Sequence, residues 1–350
     1  MLTIIFFLSS GLFLGWSLGA NDAANIFGTA VGTKMIKFKT AALICSMFII
    51  LGAVVSGAGA SHTLGELGAV NQLAGAFIVA LAAAVTVMWM TKAGLPVSTS
   101  QAIVGAIIGW NFFSQTATSM SSLSKIVGTW IFSPILSALF AFLFFHITKR
   151  IVERSRIHLM RLDSYTRIGL LVVGAFGSYS LGANNIGNVM GVFINSSPFK
   201  DITLEGLFYL SSIQQLFLLG GIAIAFGVFT YSKKVMMTVG SGIFKLSPVT
   251  ALIVVLASSI TLFLFASQGL HNLLTSLNLP AFPLVPVSSS QAVVGSVMGI
   301  SLAKGGRNIN YKKLSQISMG WIATPLASAI LAYVALFFMQ NVFMQSVFKL

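Results

Sequence analysis

Long apolar stretches separated by short polar or charged segments run the length of the chain. A helix needs about 20 mostly apolar residues to cross a bilayer, and ten stretches approach that length. The composition agrees, because 56% of the residues are hydrophobic and only 7% are charged, whereas about a quarter of a soluble domain is charged. The pattern predicts an all-α integral membrane protein with hydrophobic segments near residues 3–33, 40–60, 71–91, 95–113, 126–148, 168–195, 207–231, 249–268, 284–303 and 316–342.

The positive charges, which give the chain a net charge of +14, concentrate in every second loop. Basic loops stay on the cytoplasmic side of a membrane, so we expect a multi-pass protein of the inner (plasma) membrane with both termini outside. Orientation explains these charges, and they do not indicate a nucleic-acid partner. The opposite loops hold only Lys125 and Lys200, with Lys349 near the C-terminal end; the basic segments are 34–39, 92, 149–167, 233–245 and 304–313.

Three motifs occur twice in the same order, which indicates an internal duplication. The sequence GANDAAN at 19–25 returns as GANNIGN at 182–188, and PVSTSQAIVGAIIG at 96–109 returns as PVSSSQAVVGSVMG at 286–299. KIVGTWIFSP at 125–134 is faintly repeated at 316–325. Because each half has five segments, an odd number, the second copy enters the membrane from the opposite face. We therefore expect two inverted-topology repeats with some helices discontinuous or re-entrant, as in secondary transporters. The predicted parts are a first repeat, 1–148, a basic cytoplasmic connector, 149–167, and a second repeat, 168–350, with an insertion in its middle loops.

Asp22 is the one carboxylate that this topology places at membrane depth, because the other five acidic residues fall in predicted loops, Glu66 in a short outside loop. A charged group there costs about 2.5–3.5 kcal/mol on insertion scales and is a functional candidate by default. Asp22 and Asn25, with Asn21 beside them, offer oxygens suited to Na⁺, and Gly19 is expected to let the helix open. Proton transfer by Asp22 alone, and a structural carboxylate held by backbone at a helix break, are the alternatives.

The duplicated Pro-Val-Ser segments predict an anion site. Pro96 and Pro286 suit the first turn of a helix, where a missing N–H costs nothing. A helix N-terminus with free N–H groups and hydroxyls binds anions without a formal charge, although Ser and Thr also make simple contacts between packed membrane helices. The candidate substrate-binding residues are Ser98, Thr99, Ser100, Gln101, Ser288, Ser289, Ser290 and Gln291.

Other residues indicate packing rather than chemistry. The spacings Gly105/Gly109 and Gly295/Gly299 predict close helix contacts, and the single cysteine, Cys45, predicts a buried packing residue without a disulfide or cysteine metal site. No nucleophile–base pair is evident, and the four histidines lack partner spacing. We therefore expect neither an enzyme nor a bound cofactor.

Electrostatics favours coupling to a cation. No Lys or Arg falls inside a predicted span, so an anion at mid-membrane would need its charge balanced by a bound Na⁺ or H⁺. A dianion entering a cell against about 100 mV costs about 4.6 kcal/mol, at ~2.3 kcal/mol per charge. Two monovalent cations carried with the dianion make entry electroneutral, and a third allows the membrane potential to drive entry. An uncoupled anion channel is the rival, but a fixed carboxylate beside the anion site argues against it.

The paired motifs resemble those of the inorganic phosphate transporter family, the phosphate permeases, over nearly the whole chain. The resemblance implies a homodimer in a lipid bilayer that binds phosphate with Na⁺ or H⁺ between the two signatures. It places substrate binding on the two Ser/Thr/Gln tetrads. Cation coupling falls on Asn21, Asp22, Asn25, Asn184, Asn185 and Asn188.

This chain departs from the family pattern at Asn185, where the second signature normally keeps an Asp. Phosphate carries a proton that a carboxylate can accept, whereas sulfate carries none, and an Asn offers an N–H to either ion. The family includes sulfate permeases. The sequence thus predicts a symporter of a tetrahedral oxyanion, with phosphate ahead, proton-coupled sulfate as the alternative, and arsenate, molybdate or thiosulfate behind both.

Overall fold

The computed structural model describes residues 2–92, 97–155, 157–204, 208–242, 246–306 and 311–349. Pro96 and parts of the basic segments, residues 156, 245 and 307–310, lie outside the described residues. The first half of the chain forms six helices: α1 (Leu2–Gly32), α2 (Phe38–Ser56), α3 (Ala58–Leu67), α4 (Leu73–Lys92), α5 (Thr99–Ser114) and α6 (Met120–Ser155).

The second half repeats this order with additions. After α7 (Leu159–Met190) come a short 3-10 helix (Gly191–Ser196) and a hairpin of β1 (Ile202–Leu204) and β2 (Phe208–Leu210), paired antiparallel with Thr203 opposite Tyr209. The remaining helices are α8 (Ser212–Thr230), α9 (Ser232–Gly242), α10 (Pro248–Ala266), α11 (Gln268–Ser276), α12 (Ser289–Ala303) and α13 (Tyr311–Asn341).

The fold is predominantly helical, and a helix overlaps each of the ten predicted segments, while the count of ten spans and the inverted repeats stay predictions. Seven of the described helices are long and apolar enough to cross a membrane. The other three segments correspond to α7 and to the shorter α5 and α12, of 16 and 15 residues. The insertion expected in the second repeat contains the hairpin and α11. The strictly all-α prediction is therefore wrong at this hairpin, which periodicity failed to identify because each strand has only three residues.

Asp201, directly before β1, stabilises the hairpin through hydrogen bonds. Its carboxylate accepts hydrogen bonds from the Ser212 N–H (2.8 Å) and the Tyr209 hydroxyl (2.9 Å), which lower the pKa of the carboxyl. The predicted connector, 149–167, consists largely of helix, because α6 continues to Ser155 and α7 begins at Leu159. The connector is thus formed by the ends of two long helices.

Helices α1 and α7 carry the first motif pair and run antiparallel. Gly11 packs against Met190 at one end, and Gly174 against Phe27 at the other. The expectation that α1 opens at Gly19 is wrong, because α1 is continuous from Leu2 to Gly32. The chain breaks instead at Gly57, between α2 and α3, and at Tyr231, between α8 and α9.

Gly19 allows the backbones of α1 and α8 to approach each other closely. A Cβ at Gly19 would collide with the carbonyl oxygen of Ile224 in α8, and a Cβ at Gly182 would collide with that of Ile49 in α2. The same pair of contacts thus occurs once for each copy of the motif. The first-motif helix of each half packs against a helix of the other half.

The glycines that follow the tetrads behave in the same way and confirm the predicted close packing. Gly105 and Gly109 on α5 lie against the carbonyl oxygens of Pro325 and Ala329 on α13. Gly295 and Gly299 on α12 lie against those of Pro134 and Ala138 on α6. Each tetrad helix is therefore seated on the last long helix of the opposite half.

Candidate ion-binding site at two helix N-termini

The two tetrads form the N-terminal ends of α5 and α12, and their first serines are the N-caps. Ser98 and Ser288 have extended backbones, and their side chains accept from the N–H groups of Gln101 (3.3 Å) and Gln291 (3.2 Å). The prediction that Pro286 occupies the first helical turn is wrong, since α12 begins at Ser289. The proline precedes the cap by two residues and lies outside the helix.

The two N-termini are tied to each other by reciprocal hydrogen bonds. The Ser100 hydroxyl donates to the carbonyl oxygen of Val287 (3.1 Å), and the Ser290 hydroxyl donates to that of Val97 (3.0 Å). Ser288 also lies 3.0 Å from Ser290. Because these hydroxyls satisfy buried backbone carbonyls, they hold the two helix ends face to face.

Asp22 reaches this junction from the middle of α1. Its side chain is buried, with 2% of its surface exposed. Oδ2 accepts from the Ser289 hydroxyl (2.6 Å), and Oδ1 accepts from the Asn21 amide (2.9 Å). Asn25 also donates to the Ser289 oxygen (3.3 Å). The structure thus brings the first motif of one half to the tetrad of the other half.

The second motif makes a different set of contacts. Asn184 donates to the Val287 carbonyl (2.7 Å) and accepts from the Val287 N–H (3.0 Å). Asn188 donates to Ser100 (2.8 Å) and to Oδ1 of Asn185 (2.9 Å), and Asn185 donates to the Leu181 carbonyl within its own helix (3.2 Å). The Asn184 amide is therefore engaged with backbone in this conformation.

The duplicated site is asymmetric at the position where the carboxylate is missing. Asp22 holds Ser289, the second member of the α12 tetrad. The corresponding member of the α5 tetrad is Thr99, whose buried hydroxyl has no hydrogen-bond partner among the described residues. Asn185 turns toward Asn188 and its own helix. One side of the site is thus organised around a charge, and the other side is neutral.

Several buried oxygens at the junction have no hydrogen-bond partner within the described ranges. Buried polar groups are normally hydrogen-bonded, so unpaired oxygens that cluster around a helix end are suited to an ion. Among the described residues, no three His, Cys, Asp or Glu side chains form a metal cluster, and the available ligands are amides and hydroxyls around one carboxylate. The unpaired atoms are Thr99 Oγ1, Gln101 Oε1, Asn188 Oδ1 and Gln291 Oε1.

The site has a partly exposed side along α1. Asn21, Asn25 and Thr29 follow each other at four-residue spacing and are partly exposed, whereas Asp22 and the residues of both tetrads are buried. This stripe leads from the junction toward the end of α1 at Gly32, which precedes the basic segment 34–39.

A cavity of about 760 Å³ lies at the other end, where α7 terminates. Ser61, Gly191 and Val285 line it, and Ser61 lies directly against Gly187 of the second motif. Ser61 therefore lines this cavity and contacts the second motif at the same time. Glu66 also lines it, from the end of α3, so the prediction that Glu66 occupies a loop is wrong.

Backbone groups of Val97 and Val287 are parts of the junction that sequence reasoning missed. Both side chains are buried, at 1% and 0% exposure, and their carbonyl oxygens accept the cross-links. The signal was present, because Val precedes the first serine in both copies. An apolar residue beside a polar tetrad indicates packing, and it does not reveal which carbonyl is used.

Known proteins resemble the whole chain. The sequence profile of the Phosphate transporter family matches residues 18–273 and 274–349. A Methanocaldococcus jannaschii protein named "Putative phosphate permease" is 26% identical over 323 residues, 92% of this chain and 93% of the relative. The Bacillus subtilis sulfate permease CysP is 29% identical over 329 residues, 92% of this chain and 84% of its own length. A solved structure described as "The sodium-dependent phosphate transporter" matches with a TM-score of 0.72 at 24% identity, over 96% of this chain and 99% of that one.

Proposed function

The chain belongs to the phosphate transporter family, and on that premise we propose that it is a symporter for an inorganic tetrahedral oxyanion. Phosphate is the first candidate substrate, with Na⁺ or H⁺ as the coupling ion. The protein would act in the inner (plasma) membrane as a homodimer, with both termini outside. It moves ions without covalent chemistry.

One contact carries the proposal: the buried carboxylate of Asp22 accepts from Ser289 at the N-terminus of α12 (2.6 Å). A carboxylate attracts a cation, and a helix N-terminus attracts an anion. With the two sites in contact, each ion offsets the charge that the other introduces. Neither ion is then stable at this depth without its partner, which is the requirement for coupled transport.

The residues present fit a sodium ion as the co-transported cation. Hard cations prefer carboxylate, amide and backbone oxygens, and Asp22 and Asn25 lie at the junction together with unpaired amide and hydroxyl oxygens. A proton on Asp22 is the alternative. Asn184, assigned to the cation by resemblance, hydrogen-bonds the carbonyl and the N–H of Val287 in this conformation, and its part in cation binding stays a prediction.

The anion would bind between the ends of α5 and α12. Ser98 and Ser288 cap the helices, and Ser100 and Ser290 cross-link them. Thr99, Ser289, Gln101 and Gln291 are then the tetrad members that face ions, together with free N–H groups of the first turns. These groups contain no lysine or arginine, so binding relies on dipoles and on the coupled cation.

The missing carboxylate bears on the choice of substrate. Relatives are named as phosphate permeases, and one is named as a sulfate permease. Asn185 is neutral, and Thr99 has no hydrogen-bond partner within the described part of the chain, so this half of the site lacks a carboxylate to accept the proton of hydrogenphosphate and does not repel sulfate. Sulfate with proton coupling is therefore the second candidate, while the family favours phosphate.

Alternating access would follow from the duplicated architecture. The antiparallel α1 and α7 and the reciprocal glycine contacts support two inverted repeats around one site, an arrangement that exposes a central site to each side in turn. The stripe along α1 and the cavity beyond α7 lie at opposite ends and would serve as the two routes. An uncoupled channel is disfavoured by a fixed carboxylate beside the anion.

Uptake by proteoliposomes tests the proposal. Labelled phosphate and labelled sulfate are compared under an imposed Na⁺ gradient and then under a proton gradient, with protein-free vesicles as the control. We expect accumulation above equilibrium of one anion, driven by one cation. Accumulation of sulfate driven by protons would reverse the order of the two candidates. Equal flux without any cation gradient would replace the symporter by a channel.

A further inference from the structure

The cavity beyond α7 is lined by charged groups of both signs, whereas the charged group described at the junction is the carboxylate of Asp22. Lys125 of α6 and Glu66 of α3 both line it, and so does His271 of α11. By the charge distribution of the loops this is the outer face, where Lys125 is one of few basic residues. A lysine retained where the sequence otherwise avoids positive charge requires an explanation.

The contacts around Lys125 leave its ammonium group available. Ser122, one turn earlier on α6, donates to Glu66 Oε2 (3.1 Å) and holds the carboxylate on this wall. Lys125 itself is exposed, and within the described part of the chain no ion pair involves it. Its charge is thus directed into the water of the cavity.

His271 adds a second nitrogen on the opposite wall. Its Nδ1 lies 2.8 Å from the carbonyl oxygen of Phe282 and therefore donates to it, which leaves Nε2 for the cavity or for solvent. Gln268, Asn195 and Asn272 also line this space. The described walls therefore offer the Lys125 ammonium and the Glu66 carboxylate, which Ser122 holds, among neutral polar groups, and the exposed ammonium is the group suited to a hydrated anion.

The floor of the cavity leads to the junction. Ser61 packs against Gly187, and Val285 lies two residues before Val287, whose carbonyl accepts from Ser100. The wall is held in place, because Thr63 donates to the Leu284 carbonyl (2.6 Å). The cavity floor and the junction are thus connected through Ser61 and the segment from Val285 to Val287.

We propose that Lys125 is an outer capture point for a doubly charged tetrahedral oxyanion, which it concentrates in the cavity before the anion is dehydrated and passed to the junction. This inference rests on the proposed function. Charged walls around a cleft raise the local concentration of an oppositely charged ligand. A charge at the rim acts on the association rate and its salt dependence more than on later steps.

The test measures initial rates of labelled phosphate and labelled sulfate uptake by cells lacking their own carriers for these anions, so that only the outer face meets substrate. Lys125→Gln is compared with Lys200→Gln, an exposed lysine on the same predicted face that does not line the cavity. Ionic strength is varied with an inert salt at constant Na⁺ and pH.

For Lys125→Gln we expect KM to rise about fourfold at low ionic strength, the effect of one charge on a dianion about 10 Å away in water, with the maximal rate unchanged. The difference should disappear near 1 M salt, where the Debye length is about 3 Å. Lys200→Gln should match the wild type. Glu66→Gln should lower KM, because it removes a repelling charge.

An unchanged KM in Lys125→Gln, or a KM rise that ignores salt, would overturn the capture point. So would a KM rise in both Lys125→Gln and Glu66→Gln, because opposite charges must act in opposite directions. A wild-type protein that takes up neither anion would instead overturn the proposed function.

Discussion

Asn184 grips Val287 through both atoms of its amide, with Nδ2 2.7 Å from the carbonyl oxygen and Oδ1 3.0 Å from the N–H. Asn71 makes the same pair of bonds to Lys349 at the exposed surface (2.8 and 2.9 Å). The buried copy fixes the chain just ahead of α12, where the backbone is not part of the helix. Asn184 therefore sets the position of the α12 N-terminus.

Asn184→Ala should lower the free energy of unfolding by about 2 kcal/mol, because it leaves the buried Val287 N–H without its acceptor, which costs about 1–3 kcal/mol, while the Val287 carbonyl keeps its hydrogen bond from Ser100. Asn71→Ala should cost less, since water replaces its bonds. Thermal unfolding in detergent compares the two variants. Equal losses of stability in the two variants would mean that burial does not strengthen the hydrogen bonds of Asn184.

Asp22→Asn should abolish cation-coupled accumulation and leave the protein folded. Asparagine can still accept from Ser289, but it no longer attracts a cation. Removal of a buried charge also takes away an insertion cost of about 2.5–3.5 kcal/mol, so thermal stability should hold or rise. Asp163→Asn, an exposed residue 3.9 Å from Arg167, is the control and should transport normally. Wild-type uptake with the same ion dependence in Asp22→Asn would make Asp22 structural.

Asn185→Asp should change the number of cations carried per anion or shift selectivity toward phosphate. The new carboxylate would give Thr99 the partner that Ser289 already has in Asp22. Competition between labelled phosphate and sulfate measures selectivity, and the flux ratio of cation to anion measures the number of cations carried. Asn341→Asp adds the same charge at an exposed site and should change neither ratio. If the Asn185→Asp ratios equal those of wild type, the asymmetry of the site has no bearing on coupling.

Ser289→Ala should weaken cation dependence more than it weakens the fold. A hydrogen bond to a charged group contributes about 1.5–3 kcal/mol, which corresponds to about 10- to 150-fold in the half-saturating cation concentration. Ser133→Ala removes a buried hydroxyl without a partner among the described residues and should leave this concentration unchanged. A shift of less than about twofold in Ser289→Ala would separate Ser289 from the cation.

Gly105→Ala should destabilise the protein by about 1–3 kcal/mol, the usual cost of overpacking, since a Cβ there collides with the Pro325 carbonyl. Gly128→Ala is the matched control within a helix, because a Cβ there meets nothing within 4 Å. It should stabilise the protein by about 0.5–1 kcal/mol through helix propensity. Thermal unfolding in detergent measures both, and a tolerated Gly105→Ala would show that α5 is free to shift.

Sequence reasoning located the helices and the motif residues because apolar length and duplication are local signals. The packing of Gly105 and Gly295 was predicted from spacing and confirmed. Gly19 was misread because one sequence does not distinguish a glycine that opens a helix from one that admits a neighbouring backbone. The partner, Ile224, lies 205 residues away in the chain, and pairwise contacts at that range leave no trace in local composition.

The sequence could not predict which tetrad residue has which role, for a related reason. Ser98, Thr99, Ser100 and Gln101 look interchangeable as donors, yet one caps, one cross-links and two keep unpaired oxygens. These assignments depend on where the opposite tetrad lies. The site residues stay predictions until transport is measured, and the structure supplies the variants that separate them.

The packing of each tetrad helix against the opposite half also has a consequence for how the protein assembles during synthesis. Helix α5 packs against α13, which leaves the ribosome long after α5 does. The first half must therefore remain in the membrane with one face of α5 uncovered until α13 has been made. Neither half produced alone should be stable, whereas the two halves produced together as separate chains should find each other and assemble.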